Sequence, residues 1–185
     1  ITLFAISLAS IVGPLISNNI QRIIKGRMTH MARKKHYILV GASSLAHNVY
    51  KGLTARGEHV TVICTPGSQH ELPDKADIIE GDPSATATLK LADAGAAKYI
   101  VTLSDSDAQN VFTILAAKEV AGENTKIIAL VNDTQNLSKV KRVNPTLLLS
   151  LPLLGSELLI RTLQGDTINN DLITEMFFGK RTSLA

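Results

Sequence analysis

The chain has 185 residues, 45% of them apolar, with no tryptophan and few aromatics; this suits one α/β domain plus an appendage, its core built from Val, Ile, Leu and Ala. Its single cysteine, Cys64, excludes an internal disulfide and a cysteine-rich zinc site, and fits a reducing compartment. The net charge of +3 divides unevenly: residues 1–57 carry eight basic side chains and no acidic one, and the remainder carries 11 basic against 16 acidic.

No charged side chain occurs from Ile1 to Gln21. As a helix such a segment rises about 1.5 Å per residue and spans roughly 30 Å, the thickness of a bilayer core. Its last residues, Ser17 to Gln21, are polar, which leaves the apolar part about one turn short. Because the chain opens on Ile1 and not on Met, it reads as a fragment whose helix starts upstream. Arg22, Lys25, Arg27, Arg33, Lys34 and Lys35 follow where a cytoplasmic flank carries positive charge, which favours a membrane over a nucleic acid as the neighbour. A signal peptide would reverse that order of charge and apolar run. A buried soluble helix is the competing reading of a run this short. Ala5, Ser7, Ala9, Ser10 and Gly13 suit close packing between membrane helices, and Pro14 introduces a kink. The expected boundaries are a transmembrane fragment at 1–21 and a basic linker at 22–35.

Beyond the linker, short apolar runs alternate with stretches of helical spacing. Strands are expected at 36–40, 59–64, 76–80, 98–103, 126–131 and 146–149. Helices are expected at 43–57, 84–94, 105–121 and 134–143, with Gly57 as a stop and Ser84 as a cap. Six strands alternating with helices imply a Rossmann-like, doubly wound parallel sheet over 36–150. Two further helices are expected at 153–163 and 168–178, within a helix–turn–helix unit at 151–178, followed by a tail at 179–185.

The first strand runs into Gly41-Ala42-Ser43-Ser44-Leu45-Ala46, where a dinucleotide fold carries G-x-G-x-x-G/A. Gly41 supplies the tight turn and Ala46 the small packing residue, but Ser43 stands where the second glycine belongs. A side chain there obstructs the approach of a pyrophosphate to the backbone, although its hydroxyl could itself bond a phosphate oxygen. The acidic residue expected at the end of the second strand is also missing, for Ile63-Cys64-Thr65 occupies that place. Losing both elements argues against tight nicotinamide nucleotide binding. The helix amino terminus still offers amides to an anion. The histidines at 30, 36, 47, 59 and 70 are scattered without an i, i+4 pair, which argues against a metal site. Cys64 reads as a small buried hydrophobe. Asp105 and Asp107 read as carboxylates at the positive end of a helix dipole, and Asp82 as a turn residue or a helix-entry carboxylate facing the crevice. No nucleophile, base and orienting group assemble into a set, so the chain is not expected to be an enzyme.

Gly81-Asp82-Pro83-Ser84, Leu89, Ala94-Gly95, Val101-Thr102-Leu103-Ser104-Asp105, Asp107 and Asn110 occur in order. Leu149 to Glu157 and Asn169-Asn170-Asp171 follow them. Together they resemble the signature of the RCK domains, also called TrkA-N domains, which regulate bacterial potassium channels and transporters. The resemblance runs from about Ile11 to Phe178. It implies a cytoplasmic gating domain of a channel in the bacterial inner membrane, acting on potassium ions through an attached pore. It implies homodimerisation through the helix at 153–163 with its partner at 168–178, and assembly of dimers into a gating ring that pulls on the pore helices. It places a nucleotide site, or the remnant of one, at Gly41, Ser43, Ser44, Cys64 and Asp82, without naming the nucleotide. Two other functions stay open: a peripheral regulatory subunit of a potassium transporter, and an NAD(P)-dependent oxidoreductase.

Overall fold

The structure is a computed structural model and describes residues 35–68 and 72–165. The expected transmembrane fragment, nearly all of the basic linker, the helix at 168–178 and the tail lie outside the described residues.

Six strands form one sheet: β1 (Tyr37–Val40), β2 (Val60–Cys64), β3 (Asp77–Glu80), β4 (Tyr99–Thr102), β5 (Lys126–Leu130) and β6 (Leu147–Leu149). The helices are α1 (Ser44–Thr54), α2 (Thr86–Leu91), α3 (Asp107–Val120), α4 (Leu137–Arg142) and α5 (Leu151–Leu163). Single 3₁₀ turns stand at Ala94–Ala96 and Thr134–Asn136. The strand order is β3-β2-β1-β4-β5-β6 and every pairing is parallel. The doubly wound sheet read from the alternation of elements is therefore the one observed.

Both faces of the sheet are covered over β1 and β2, which is why these strands are apolar but for Thr61, whose hydroxyl donates to Asp77. Alternate residues point to opposite faces. Ile38, Val40, Ile63, Ile100, Ile127 and Ala129 pack against Leu89 of α2, Ile114, Ala116 and Ala117 of α3, and Val140 of α4. Leu39, Val60, Val62 and Leu130 pack on the other face with Ala46 and Tyr50 of α1. Burying one such aliphatic side chain contributes about 1.5–3 kcal/mol. The second face is covered only in part. Val101, Ile128 and Leu147, in register across β4, β5 and β6, stay half-exposed on the side that carries α1. Tyr37 and Tyr99 stack there at 5.5 Å between ring centroids.

Helix α5 leaves the edge strand with no buried residue at all. Leu159, Ile160 and Leu163 are 60%, 49% and 78% exposed, so a helix that is mostly apolar is covered only in part, at Leu154 and Leu158, among the described residues.

The four helices expected between the strands are all shorter in the structure, two of them for a visible reason. The helix expected from Ser84 starts at Thr86 behind Ala85, because the Ser84 hydroxyl is bonded to Asp82 and caps nothing. The stretch 134–143 divides into a 3₁₀ turn, capped by the Asp133 carboxylate, and the short α4.

Several buried hydroxyls, those of Thr102, Thr113 and Ser150, are poorly served among the described residues. The Thr113 hydroxyl on α3 is fully buried and has no hydrogen-bond partner among the described residues. Thr113→Val is expected to stabilise the domain by about 1 kcal/mol, seen as a higher midpoint in thermal denaturation followed by circular dichroism.

Candidate functional site

The sheet's strand order reverses between β1 and β4, and ligands of open α/β sheets bind at such a switch point, beyond the carboxyl ends of the strands. There the chain turns at Gly41, whose amide bonds the Ile63 carbonyl at 2.9 Å. Gly41 has φ of 126°, and a Cβ on it would lie 2.8 Å from the backbone of Leu103 and Ser104. Only glycine lets the loop pass this close to the end of β4.

Ser43 then caps α1. Its hydroxyl oxygen accepts the Ala46 amide at 3.2 Å while its O–H donates to the Leu103 carbonyl at 2.8 Å. The loop after β1 is thereby tied to the loop after β4.

A crevice of about 530 Å³ opens over this junction, lined by Val40, Gly41, Ala42, Ser43, Cys64, Thr65, Ser68, Pro83, Ser104, Asp105, Ser106 and Gln109. Gly41, Ser43 and Cys64, singled out from the sequence, meet in it. Ser44 and Asp82 are not among the lining residues. Ser44 is the exposed first residue of α1. Asp82 turns back on its own loop, where its carboxylate accepts the Ser84 hydroxyl at 2.6 Å and the Ser84 amide at 2.9 Å. Those two bonds hold its carboxyl below the usual range. Of the two sequence readings of Asp82, the turn residue is the one observed.

Cys64 is buried at the end of β2. Burial, and then the Glu80 carboxylate, push its thiol up, so at neutral pH it stays protonated and is a poor nucleophile. Among the described residues the lining contains one carboxylate, Asp105, and no lysine, arginine or histidine. His36 is buried and bonds the Ala92 carbonyl at 2.8 Å, which fits a structural role. No group of three potential metal-ligating side chains occurs among the described residues.

The wall formed by Ser104 to Ser106 is held from behind by a polar network that the sequence did not reveal. Asp107, expected to serve the helix dipole, is buried and accepts four hydrogen bonds. These come from the Asn132 amide (2.7 Å), the Asn132 side chain (3.0 Å), the Asp133 amide (3.0 Å) and the Asn136 side chain (3.0 Å). Burial alone would raise the Asp107 carboxyl, but these donors together bring it below the usual carboxylate range. Asn110, fully buried, accepts from the Ser104 amide at 3.1 Å and donates to the Ser104 and Leu130 carbonyls at 3.0 and 3.2 Å. Asn132 also donates to the Ser104 carbonyl at 2.9 Å. The loops after β4 and β5 are thus one hydrogen-bonded unit.

The sequence profile of the TrkA-N domain matches residues 37–150, from the start of β1 to the cap of α5. The chain belongs to the TrkA-N family. It is 41% identical over 182 residues to the voltage-gated potassium channel Kch of Escherichia coli strain K12, covering 95% of this chain and 43% of that protein. The chain thus spans less than half the length of that relative. Among solved structures, the TrkA-N domain of the inner membrane protein YbaL from Escherichia coli superposes with a TM-score of 0.63 at 15% identity, over 70% of this chain and 97% of that one. The GsuK structure bound to ADP superposes with a TM-score of 0.55 at 20% identity, over 64% of this chain and 31% of that one. At these identities the two structures show a shared fold. Within the TrkA-N fold of this chain, Gly41 and Ser43 stand at the switch point, and the acid-free end of β2 is Cys64.

Proposed function

We propose that the chain is the regulatory RCK domain of a bacterial membrane potassium channel, anchored through residues 1–21, and that it acts by assembly and not by catalysis. The observation that carries this reading is the likeness to a potassium channel over 95% of the chain, which is too extensive to stop at the sheet domain. The crevice supports the non-enzymatic part. Its thiol is held protonated and, among the described residues, Asp105 has no histidine or lysine beside it in the lining, so no acid, base and nucleophile converge among them.

Assembly is supported by what the fold leaves uncovered. Helix α5 exposes Leu151, Leu153, Leu159, Ile160 and Leu163, and the sheet face over β4 to β6 exposes part of Val101, Ile128 and Leu147. An apolar helix and an apolar sheet face on one small domain are complementary between two copies related by a two-fold axis. Movement of such a dimer would reach the pore through the basic linker at 22–35.

Light scattering on the full chain in mild detergent tests this reading. A dimer or a larger ring is expected, and Leu159→Asp together with Leu163→Asp is expected to give monomers, because charged side chains cannot be buried unpaired in such a contact. A wild-type chain that stays monomeric at the highest attainable concentration would overturn it.

A further inference from the structure

We propose that Ser43 is a built-in occupant of the phosphate position, and that it closes this crevice to the diphosphate of a nucleotide. The inference rests on reading the switch-point crevice as the place where a TrkA-N fold would receive a nucleotide.

The amides of the first helical turn have no partner within the helix, and a phosphate at a helix amino terminus bonds to them. In this chain the Ala46 amide is taken by the Ser43 hydroxyl oxygen at 3.2 Å. The same hydroxyl spends its proton on the Leu103 carbonyl at 2.8 Å, so it has no proton left for a phosphate oxygen. Its Cβ stands where a glycine would let a pyrophosphate approach the backbone. A single side chain therefore uses an anchoring donor, fills the approach and ties the two lips of the crevice together.

The surroundings act in the same direction. Among the described residues no cationic side chain lines the crevice, and the Asp105 carboxylate does, so a second negative group entering there is repelled and finds no counter-charge from them. At the end of β2, where a carboxylate would accept ribose hydroxyls, the buried thiol of Cys64 is a weak acceptor. These features lower the affinity for any nucleotide, but Ser43 is the one that physically takes an amide of the first helical turn.

The test is calorimetric titration of ADP into the full chain in mild detergent, comparing wild type with Ser43→Gly and Ser43→Thr. Glycine also serves as a helix cap and removes the occupant, so the fold is kept while the amide is released. Threonine keeps the hydroxyl and should keep the crevice closed. Wild type and Ser43→Thr are expected to give no saturable heat at about 1 mM ADP, whereas Ser43→Gly saturates with an affinity at least about tenfold tighter. The proposal is overturned if wild type or Ser43→Thr binds ADP as tightly as Ser43→Gly. It is equally overturned if Ser43→Gly, with an unchanged thermal unfolding curve, binds no ADP. Light scattering on the same samples reports the oligomer separately, so a monomeric chain would count against the gating role and not against this assignment.

Discussion

Gly41→Ala is expected to cost the domain about 3 kcal/mol or more, the largest loss from adding one methyl group anywhere near the crevice. Two effects add. At φ of 126° the backbone is in a region that L side chains rarely adopt, which alone costs about 1–2 kcal/mol. The added Cβ would also lie 2.8 Å from the carbonyl carbon and oxygen of Leu103 and from the Ser104 amide nitrogen. Those atoms are backbone at the end of β4, and Asn110 and Asn132 hold the Ser104 peptide from the other side. Nothing flexible is available to give way, so relief would require parting β1 from β4 at the centre of the sheet.

Gly57→Ala is the control for this argument. Gly57 also has positive φ, at 77°, but a Cβ there meets nothing within 4 Å. Its replacement should cost only the conformational part, about 1 kcal/mol. Urea denaturation of the two variants measures the difference. Equal losses would show that the close passage of the loop against β4 carries no energetic weight, and the account of why glycine stands at 41 would fail.

The fold was legible because its signals are local. Buried strands such as Val60 to Cys64 are continuous β-branched runs, and the helical stretches between them have period and caps. The turn at Gly41 was legible for the same reason, as were Ser43 and Cys64, which follow from chain order along a βαβ unit. What escaped the sequence was distant or individual in geometry. Thr65 and Ser68 reach the crevice from the loop after β2 and Gln109 from the first turn of α3, and they belong to no local pattern. Ser44 and Asp82 stand at the right places in the chain, but one faces solvent and the other is occupied by Ser84. Asp107 was misjudged most instructively. A carboxylate in the first turn of a helix ordinarily serves the dipole in solvent. Here its partners are 25 to 29 residues away, after a strand the sequence could not position against it. Asn132-Asp133, one intervening residue beyond the end of β5, was the available signal, since amide-bearing residues near a strand end are natural donors to a neighbouring loop.

Asp107→Ala should therefore be costly, by about 2 kcal/mol at neutral pH, because it strands several donors that are partly shielded from water. Removing the carboxylate leaves the Asn132 and Asp133 amides and two side-chain amides without their acceptor. The loops after β4 and β5 would separate, and the crevice wall at Ser104 with them. The pH dependence gives the effect its own signature. The carboxyl is held lower in the folded domain than in the unfolded chain. The unfolded chain thus binds the proton first as pH falls, and the contribution is complete above the ordinary aspartate value of about 3.9. It is lost as pH falls through the folded value. Wild type and Asp107→Ala should therefore differ by the full amount at pH 7 and converge on acidification below that range, as measured by urea denaturation at each pH. A gap that stayed constant down to acid unfolding would mean that the charge of Asp107 contributes nothing, and the network would have to be ascribed to packing of the two loops alone.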